Sequence, residues 1–488
     1  MRITGIKYGD SLTGWKVLSN VTGKGHVLAR KKGSVRALPV PSHANAPFQP
    51  EKCEGVVRKN ECSGKPLFFG AVGALSFFRK RFSGWKMSVG RAFLQTGERI
   101  WRGGGVLVCL MLALMLPMRA GACTTAVVSA EASGTGRPMI WKQRDAAGEH
   151  NAIAHVQGAV YAYTALFPTR DTLHNLAYAG INEAGFAISN NLSYNLRPRG
   201  ANMDTHNGEL MAEALGTCRT LDDFAALLDS KAVPRGISAN FAVIDACGGA
   251  AYFEAGDSSY VRFDVPEGGY LFRTNYSISG EEGRGRGFAR YATMEQMMAR
   301  RAGKGLRPGR KFDAPFFLNA GRSFVNVLNG GDALRCRRRG VIYEHDFIAR
   351  QTSVASVVIE GVTPGDAPDG GMMWCAPGFT PTCYAVPVWV AAGDDLPAIL
   401  ADDAPANLLS VELKHSLSPY FWDRKYVSVK PLRRILRLVR KAERAELREA
   451  RTLAKLFRSN GFDAAALHEY NAAADRRFAI FESKTRKL

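Results

Sequence analysis

The chain has 488 residues, a formal net charge of +21, 46% hydrophobic and 22% charged residues. This composition is that of a globular protein; it excludes disorder throughout, a collagen-like chain and a multi-span membrane protein. The charge is uneven. Residues 1–122 hold 20 Lys+Arg against 5 Asp+Glu, residues 123–410 hold 26 against 30, and residues 411–488 hold 19 against 9. The basic character therefore belongs to the two ends, and a nucleic-acid-binding core is not expected.

Residues 1–86 show no sustained periodicity and carry basic clusters such as Arg30-Lys31-Lys32 and Arg79-Lys80-Arg81. They read as a disordered leader or as translation from a start set too far upstream, with Met87 a candidate true start. Residues 87–122 follow a signal-peptide plan: Arg91, Arg99 and Arg102, the apolar run Val106 to Leu116, then Ala120-Gly121-Ala122. The run is too short for a bilayer span, which needs about 20 residues. Cleavage after Ala122 would make Cys123 the first residue of a periplasmic or secreted chain. A terminal cysteine can be lipidated, as in a lipoprotein or anchored binding module, although Ala120 stands where lipoproteins usually have Leu. Alternatively it is a nucleophile whose own α-amine serves as base, the amine titrating at about 7.7–8.0 and the thiol near 8.5. Acylation of the amine would remove that base, so the two readings exclude each other.

Along residues 123–410 the expected elements are strands at Ala126–Ala130 and Arg137–Trp141 around Gly134-Thr135-Gly136, and a hairpin of Asn175–Gly180 with Phe186–Leu192 around Asn182-Glu183-Ala184-Gly185. A helix is expected over Glu209–Leu228 and a hairpin of Asn240–Ile244 with Ala250–Glu254. A strand over Gly269–Thr274, helices over Phe288–Arg301 and Ala314–Leu328, and strands at Ser353–Ile359, Met372–Trp374 and Tyr384–Val390 complete the body. The fold class is α+β in layers. Gly283-Arg-Gly-Arg-Gly lacks a preceding strand and is read as a loop, not a phosphate cradle. Residues 411–488 form a basic helical extension. Apolar residues at i, i+3, i+4 spacing predict a long amphipathic helix over 431–458, with Phe462–Phe481 as its antiparallel partner. Its cationic face is read first as solvated, with membrane-surface contact or homo-oligomer contact as the other readings.

Cys123-Thr124-Thr125, Trp141-Lys142-Gln143-Arg144-Asp145, Gly180 to Gly185, Asn190-Asn191 and Arg273-Thr274-Asn275 occur in that order. Together they resemble the N-terminal nucleophile hydrolases, in particular the linear-amide branch that includes choloylglycine hydrolase, penicillin V acylase and the acyl-coenzyme A:6-aminopenicillanic acid acyltransferase-like proteins. The resemblance runs from Cys123 to about Val390. It implies a four-layer αββα sandwich, no cofactor and a small-molecule amide substrate, cleaved at a linear, non-peptide C–N bond through a thioester. Acyl transfer from the same thioester is the alternative. It also implies roles. Cys123 is the nucleophile and Asp145 holds its α-amine. The family has Arg three residues before the Asp, whereas here that place is Lys142 and Arg144 adjoins the Asp, so either cation could support the thiolate. Asn190 or Asn191, together with Asn275, would serve the oxyanion. Arg290 takes the place of a catalytic-centre Arg, with Arg284 and Arg286 as competitors. His150, His174 and His206 lack metal-ligand spacing. Beyond Cys123 the mature chain would hold Cys218, Cys247, Cys336, Cys375 and Cys383, an odd number, with Cys375 and Cys383 close enough in sequence to pair.

Overall fold

The computed structural model describes residues 122–198, 205–303, 309–335, 340–344, 346–420 and 425–488, and the backbone of four strands between residues 6 and 39. The signal-peptide segment expected over 87–122 lies, except for Ala122, outside the described residues, as does most of the leader and Cys336. The chain divides into two units, Met1–Cys109 and Leu110–Leu488. In the first, β1 (Ile6–Lys7), β2 (Lys16–Thr22), β3 (His26–Lys31) and β4 (Ser34–Pro39) form an antiparallel sheet in sequence order.

The second unit is built on two antiparallel sheets. One has seven strands in the order β13-β12-β11-β10-β9-β8-β7. These are β7 (Asn151–Gln157), β8 (Ala162–Pro168), β9 (Ala179–Asn182), β10 (Ala187–Leu192), β11 (Ala239–Ile244), β12 (Ala250–Ala255) and β13 (Tyr260–Asp264). The other has six in the order β14-β5-β6-β18-β19-β20. Its strands are β5 (Thr124–Val128), β6 (Met139–Asp145), β14 (Tyr270–Arg273), β18 (Ser353–Glu360), β19 (Met372–Ala376) and β20 (Val386–Trp389). Two short pairs stand outside them, β15 (Val325–Asn326) with β16 (Gly331–Asp332), and β17 (Val341–Tyr343) with β21 (Tyr426–Ser428).

Alternation of side chains across a strand explains the layering. Phe241 and Phe253 face outward and meet Phe224 at 5.6 and 5.1 Å. Phe224 belongs to α2 (Leu221–Ser230), which with α1 (Asn207–Thr217) covers that face. Their neighbours Ala242, Ile244 and Tyr252 point the other way, into the core between the sheets. On the six-stranded sheet Trp141 stacks at 5.6 Å on Phe317 of α4 (Ala314–Gly321), and α3 (Phe288–Arg301) packs beside β14. The result is the αββα sandwich.

Several boundaries differ from the sequence reading. The helix expected over Glu209–Leu228 is two helices. Thr220 accepts from the Asp223 amide at 3.1 Å and Asp223 accepts from the Thr220 amide at 2.9 Å, a capping box that restarts the helix. The helix expected to reach Leu328 stops at Gly321, where Arg322 turns inward to buried partners. β1 to β4, which fall in the stretch read as a disordered leader, and β7, β8, β13, β15 to β17 and β21 were not expected. β8 is buried along its whole length, so its sequence shows no period of two. Cys375 and Cys383 do not pair; both are buried free thiols, and burial pushes the Cys383 thiol up to about 12.

The tail packs on the body. α5 (Pro405–Ser416) runs through the boundary expected at 410. α6 (Val429–Asn460) and α7 (Ala464–Thr485) form an antiparallel pair turning at Gly461. Glu443 of α6 is 3% exposed and ion-pairs with the buried guanidinium of Arg322, accepting from its Nη1 at 2.7 Å. Trp389 of β20 lies edge-on to Phe457 and Tyr470, at 5.8 and 5.6 Å. No helix among the described residues is long and apolar enough to cross a membrane.

Candidate active site

Cys123 immediately precedes β5, which lies between the edge strand β14 and β6 in the six-stranded sheet, and is 8% exposed. Its thiol lies 3.8 Å from the Asp145 carbonyl oxygen, because β5 and β6 pair antiparallel with Thr124 opposite Gln143 and the end of β6 returns to the start of β5. Two guanidiniums flank the residue. Arg290 Nη1 donates to the Cys123 carbonyl and, at 2.7 Å, to Thr124 Oγ1. Arg350 Nη2 donates to the Ala122 carbonyl at 2.6 Å.

The Asp145 side chain is held from both sides. Arg350 donates to Oδ2 through Nε at 3.0 Å and Nη2 at 2.7 Å, and Ser353 Oγ donates to Oδ1 at 2.6 Å. Ser353 stands opposite Asp145 in the β18–β6 register. Glu344 is buried behind this group. Burial pushes its carboxyl well above the ordinary range, opposed by Lys414.

Lys142 and Arg144 both project toward the other sheet but end differently. Lys142 Nζ donates to the Asn190 carbonyl at 2.6 Å and to Asn190 Oδ1 at 2.7 Å. Burial brings its ammonium down to about 8; the Cys123 charge opposes that and Arg144 adds to it. Arg144 lies over the Tyr178 ring at 3.7 Å and reaches the Gly148 carbonyl at 3.4 Å. The cation that faces the Cys123–Asn190 region is thus Lys142.

The two adjacent asparagines are likewise distinguished. Asn191 Oδ1 accepts from Thr125 Oγ1 at 2.6 Å, and its Nδ2 donates to the Thr274 carbonyl. Tyr252 donates to Thr125 at 2.8 Å, completing a buried chain. Asn191 is therefore spent on holding the sheets together. Asn190 has only its Oδ1 engaged among the described residues, which leaves Nδ2 as a donor for an oxyanion. Asn275 Nδ2 donates to the Leu192 carbonyl at 2.7 Å, and its Oδ1 accepts from Arg290 Nη2 at 2.7 Å. It aims Arg290, and one of its two amide hydrogens is committed to Leu192.

Arg290 is fully buried. Burial, then the like charge of Arg350, lower its guanidinium to about 9, against Asp145 and Cys123. Its place depends on Gly287, whose φ of +88° starts α3 and where a Cβ would run into the guanidinium. Arg284 and Arg286 do not reach Cys123: Arg284 pairs with Glu281, and Arg286 lies over the Tyr194 ring at 4.6 Å. Tyr194 was not singled out in the sequence. Its hydroxyl is pushed up mainly by burial, with the Cys123 charge adding to that and Arg286 opposing it. Arg350, Ser353 and Glu344 were also missed; no local motif marks them, and only the β18–β6 pairing brings them to Asp145.

His150, His174 and His206 lie apart, contacting Asn407, Phe167 and Glu209 respectively. Among the described residues no group of three or more His, Cys, Asp or Glu could hold a metal ion. Around Cys123 the chain gathers Lys142, Arg290 and Arg350 in a low-dielectric setting. Such a field favours a developing oxyanion.

No curated protein matches the sequence. Solved structures that resemble it include a Caenorhabditis elegans N-acylethanolamine-hydrolyzing acid amidase orthologue, at 14% identity and a TM-score of 0.32, covering 48% of this chain and 92% of that one. Penicillin V acylase from Agrobacterium tumefaciens matches at 13% identity and a TM-score of 0.32, covering 54% and 86%. A variant of conjugated bile acid hydrolase from Clostridium perfringens matches at 11% identity and a TM-score of 0.28, covering 52% and 89%. The family whose model this chain matches is acyl-coenzyme A:6-aminopenicillanic acid acyl-transferase, over residues 159–295, the stretch that contains Asn190, Asn191, Asn275 and Arg290.

Proposed function

We propose that this chain is an exported amidase with an N-terminal cysteine nucleophile that cleaves a linear, non-peptide C–N amide bond. The observation that carries this reading is the setting of Cys123: at the head of β5, with Arg290 on its own carbonyl and the Arg350–Asp145 pair on the preceding one. While residue 122 is attached, the Cys123 nitrogen is an amide and cannot act as a base. Removal of residues 1–122 converts it to an amine, which Asp145, linked through Arg350 Nη2 to the position of the Ala122 carbonyl, would hold. The amine takes the thiol proton, and the thiolate adds to the substrate carbonyl carbon. The oxyanion is met by Asn190 Nδ2, with Lys142 behind it. Collapse breaks the C–N bond, and the ammonium returns its proton to the departing amine. Water then attacks the thioester, releasing the acid and restoring the thiol. An added amine could take the place of water, and the acyl-transferase family model favours testing that branch.

Cys123→Ala should abolish turnover of N-acyl amides, a loss of at least about 10³-fold, with thermal unfolding unchanged. Full activity in that variant, or a diacylglyceryl mass on the mature N-terminus, overturns the proposal. Product analysis with and without added amine assigns the acyl acceptor.

A further inference from the structure

The exposed face of α6 has no role in the amidase reading. The helix holds eleven Lys and Arg between Lys430 and Arg458, and all of them are exposed. At about 100° per residue they fall within an arc of about 120°, opposite Leu432, Ile435, Leu436, Val439 and Ala450 of the buried side. Glu443, Glu446 and Glu449 lie outside that arc. Glu443 is taken by Arg322, and the other two by Arg477 of α7. The arc contains no acidic residue. It forms a straight cationic stripe of about 42 Å, fixed in orientation because the opposite face is packed into the core.

At its C-terminal end the stripe meets a second feature. Arg451, Lys455 and Arg458 stand on the lip of a cavity of about 640 Å³ with Trp374, Trp389 and Phe457 in its walls. The cavity lies by Glu360, at the end of β18 away from Ser353, so about 23 Å from the Asp145 end of the sheet. Of its acidic neighbours, Asp366 is bound by Arg137, Thr363 and, at 3.9 Å, Arg458, Asp313 is paired with Arg301, and Glu360 accepts from Trp374 Nε1 at 2.9 Å; Asp369 also lines it. Leu456 and Phe462 are exposed beside the same end, 38% and 41%. Charge alone would suit any polyanion. A straight cationic edge that ends in exposed apolar side chains and an aromatic-walled cavity suits a surface offering both anionic headgroups and acyl chains.

We infer that the α6 stripe is a docking surface for an anionic lipid bilayer. A probe on the stripe distinguishes it from the basic leader. The full chain is prepared with Cys53→Ser, Cys62→Ser, Cys109→Ser, Cys247→Ser, Cys336→Ser and Thr452→Cys, the new thiol carrying an environment-sensitive dye. Vesicles of phosphatidylcholine with about a third phosphatidylglycerol should shift its emission to the blue at about 0.1 M salt, and the shift should vanish at about 0.5 M. Pure phosphatidylcholine should not produce it. Arg437→Glu/Lys441→Glu/Arg444→Glu should weaken the apparent affinity at least about tenfold; the corresponding Gln triple variant, a milder change, should weaken it in the same direction. No shift on anionic vesicles, an equal shift on pure phosphatidylcholine, or unchanged affinity in both triple variants overturns the inference. So does a short DNA duplex that produces the shift where vesicles do not.

Discussion

The Cys123 site and the α6 stripe are both rich in positive charge, yet they treat it in opposite ways. At the site the cations are buried and committed: Arg290 to Cys123, Thr124 and Asn275, Lys142 to Asn190, Arg350 to Asp145 and Ala122. On the stripe they are exposed, and Arg437, Lys441 and Arg444 have no hydrogen-bond or ion-pair partner among the described residues. A buried cation costs desolvation free energy, so it persists only where the geometry supplies acceptors, and it therefore marks chemistry or architecture. An exposed cation costs little, so its message lies in the pattern it makes with others. The same residue type must be read by burial before it is read by charge.

The largest effect expected from breaking this contrast is structural. Arg322 is a buried, committed cation that ties the α6 helix to the body, donating to Glu443, the Thr380 carbonyl and the Cys383 carbonyl. Arg322→Met leaves the Glu443 carboxylate buried without its partner and should cost about 3–5 kcal/mol, read as a lower urea midpoint. Arg322→Met/Glu443→Leu should recover most of that loss.

Arg350 tests whether commitment at the site serves chemistry. Arg350→Gln should lower kcat/KM by about 10–100-fold, equivalent to about 1.4–2.7 kcal/mol, and, because it takes the ion-pair partner from the buried Asp145 carboxylate, should also lower the thermal midpoint; Arg350→Lys should recover part of both.

A smaller, pH-dependent effect is expected at Lys142. Its ammonium titrates at about 8 in the fold against an ordinary 10.5, so between those values the unfolded chain binds more protons and stability rises with pH. Activity runs the other way: kcat/KM should fall as pH rises through about 8 and the cation behind Asn190 is lost. Lys142→Arg should move that alkaline limb upward, because a guanidinium keeps its proton. Coincident profiles for the two proteins would remove Lys142 from the reaction. At the low end, Arg437→Gln on the stripe should change stability by no more than about 0.5 kcal/mol in urea unfolding.

Much of the fold was legible because apolar alternation and turn residues are local. The β9–β10 and β11–β12 hairpins, the α3 helix and the α6–α7 pair lie close to where periodicity put them. The capping box at Thr220 was also legible in principle, as a Thr followed three residues later by Asp, and marks the helix break that a continuous apolar pattern concealed. β7 and β8 carry no comparable signal. β6 presents Lys142, Gln143, Arg144 and Asp145 in a fully buried strand, a polar run that makes sense only once the residues from the neighbouring strands are in place.

By itself the sequence determined the cysteine at the head of the first core strand, the ordered motifs behind it and the location of the charge. Tertiary structure decided the roles. Lys142 rather than Arg144 turns to the site, Asn190 rather than Asn191 keeps a free donor, and Asn275 serves Arg290. Arg350 reaches Asp145 across 205 residues of chain. The physical reason is that a side chain's role depends on which acceptors meet it. In an antiparallel sandwich those acceptors come from strands paired in register over long separations, which local sequence does not encode.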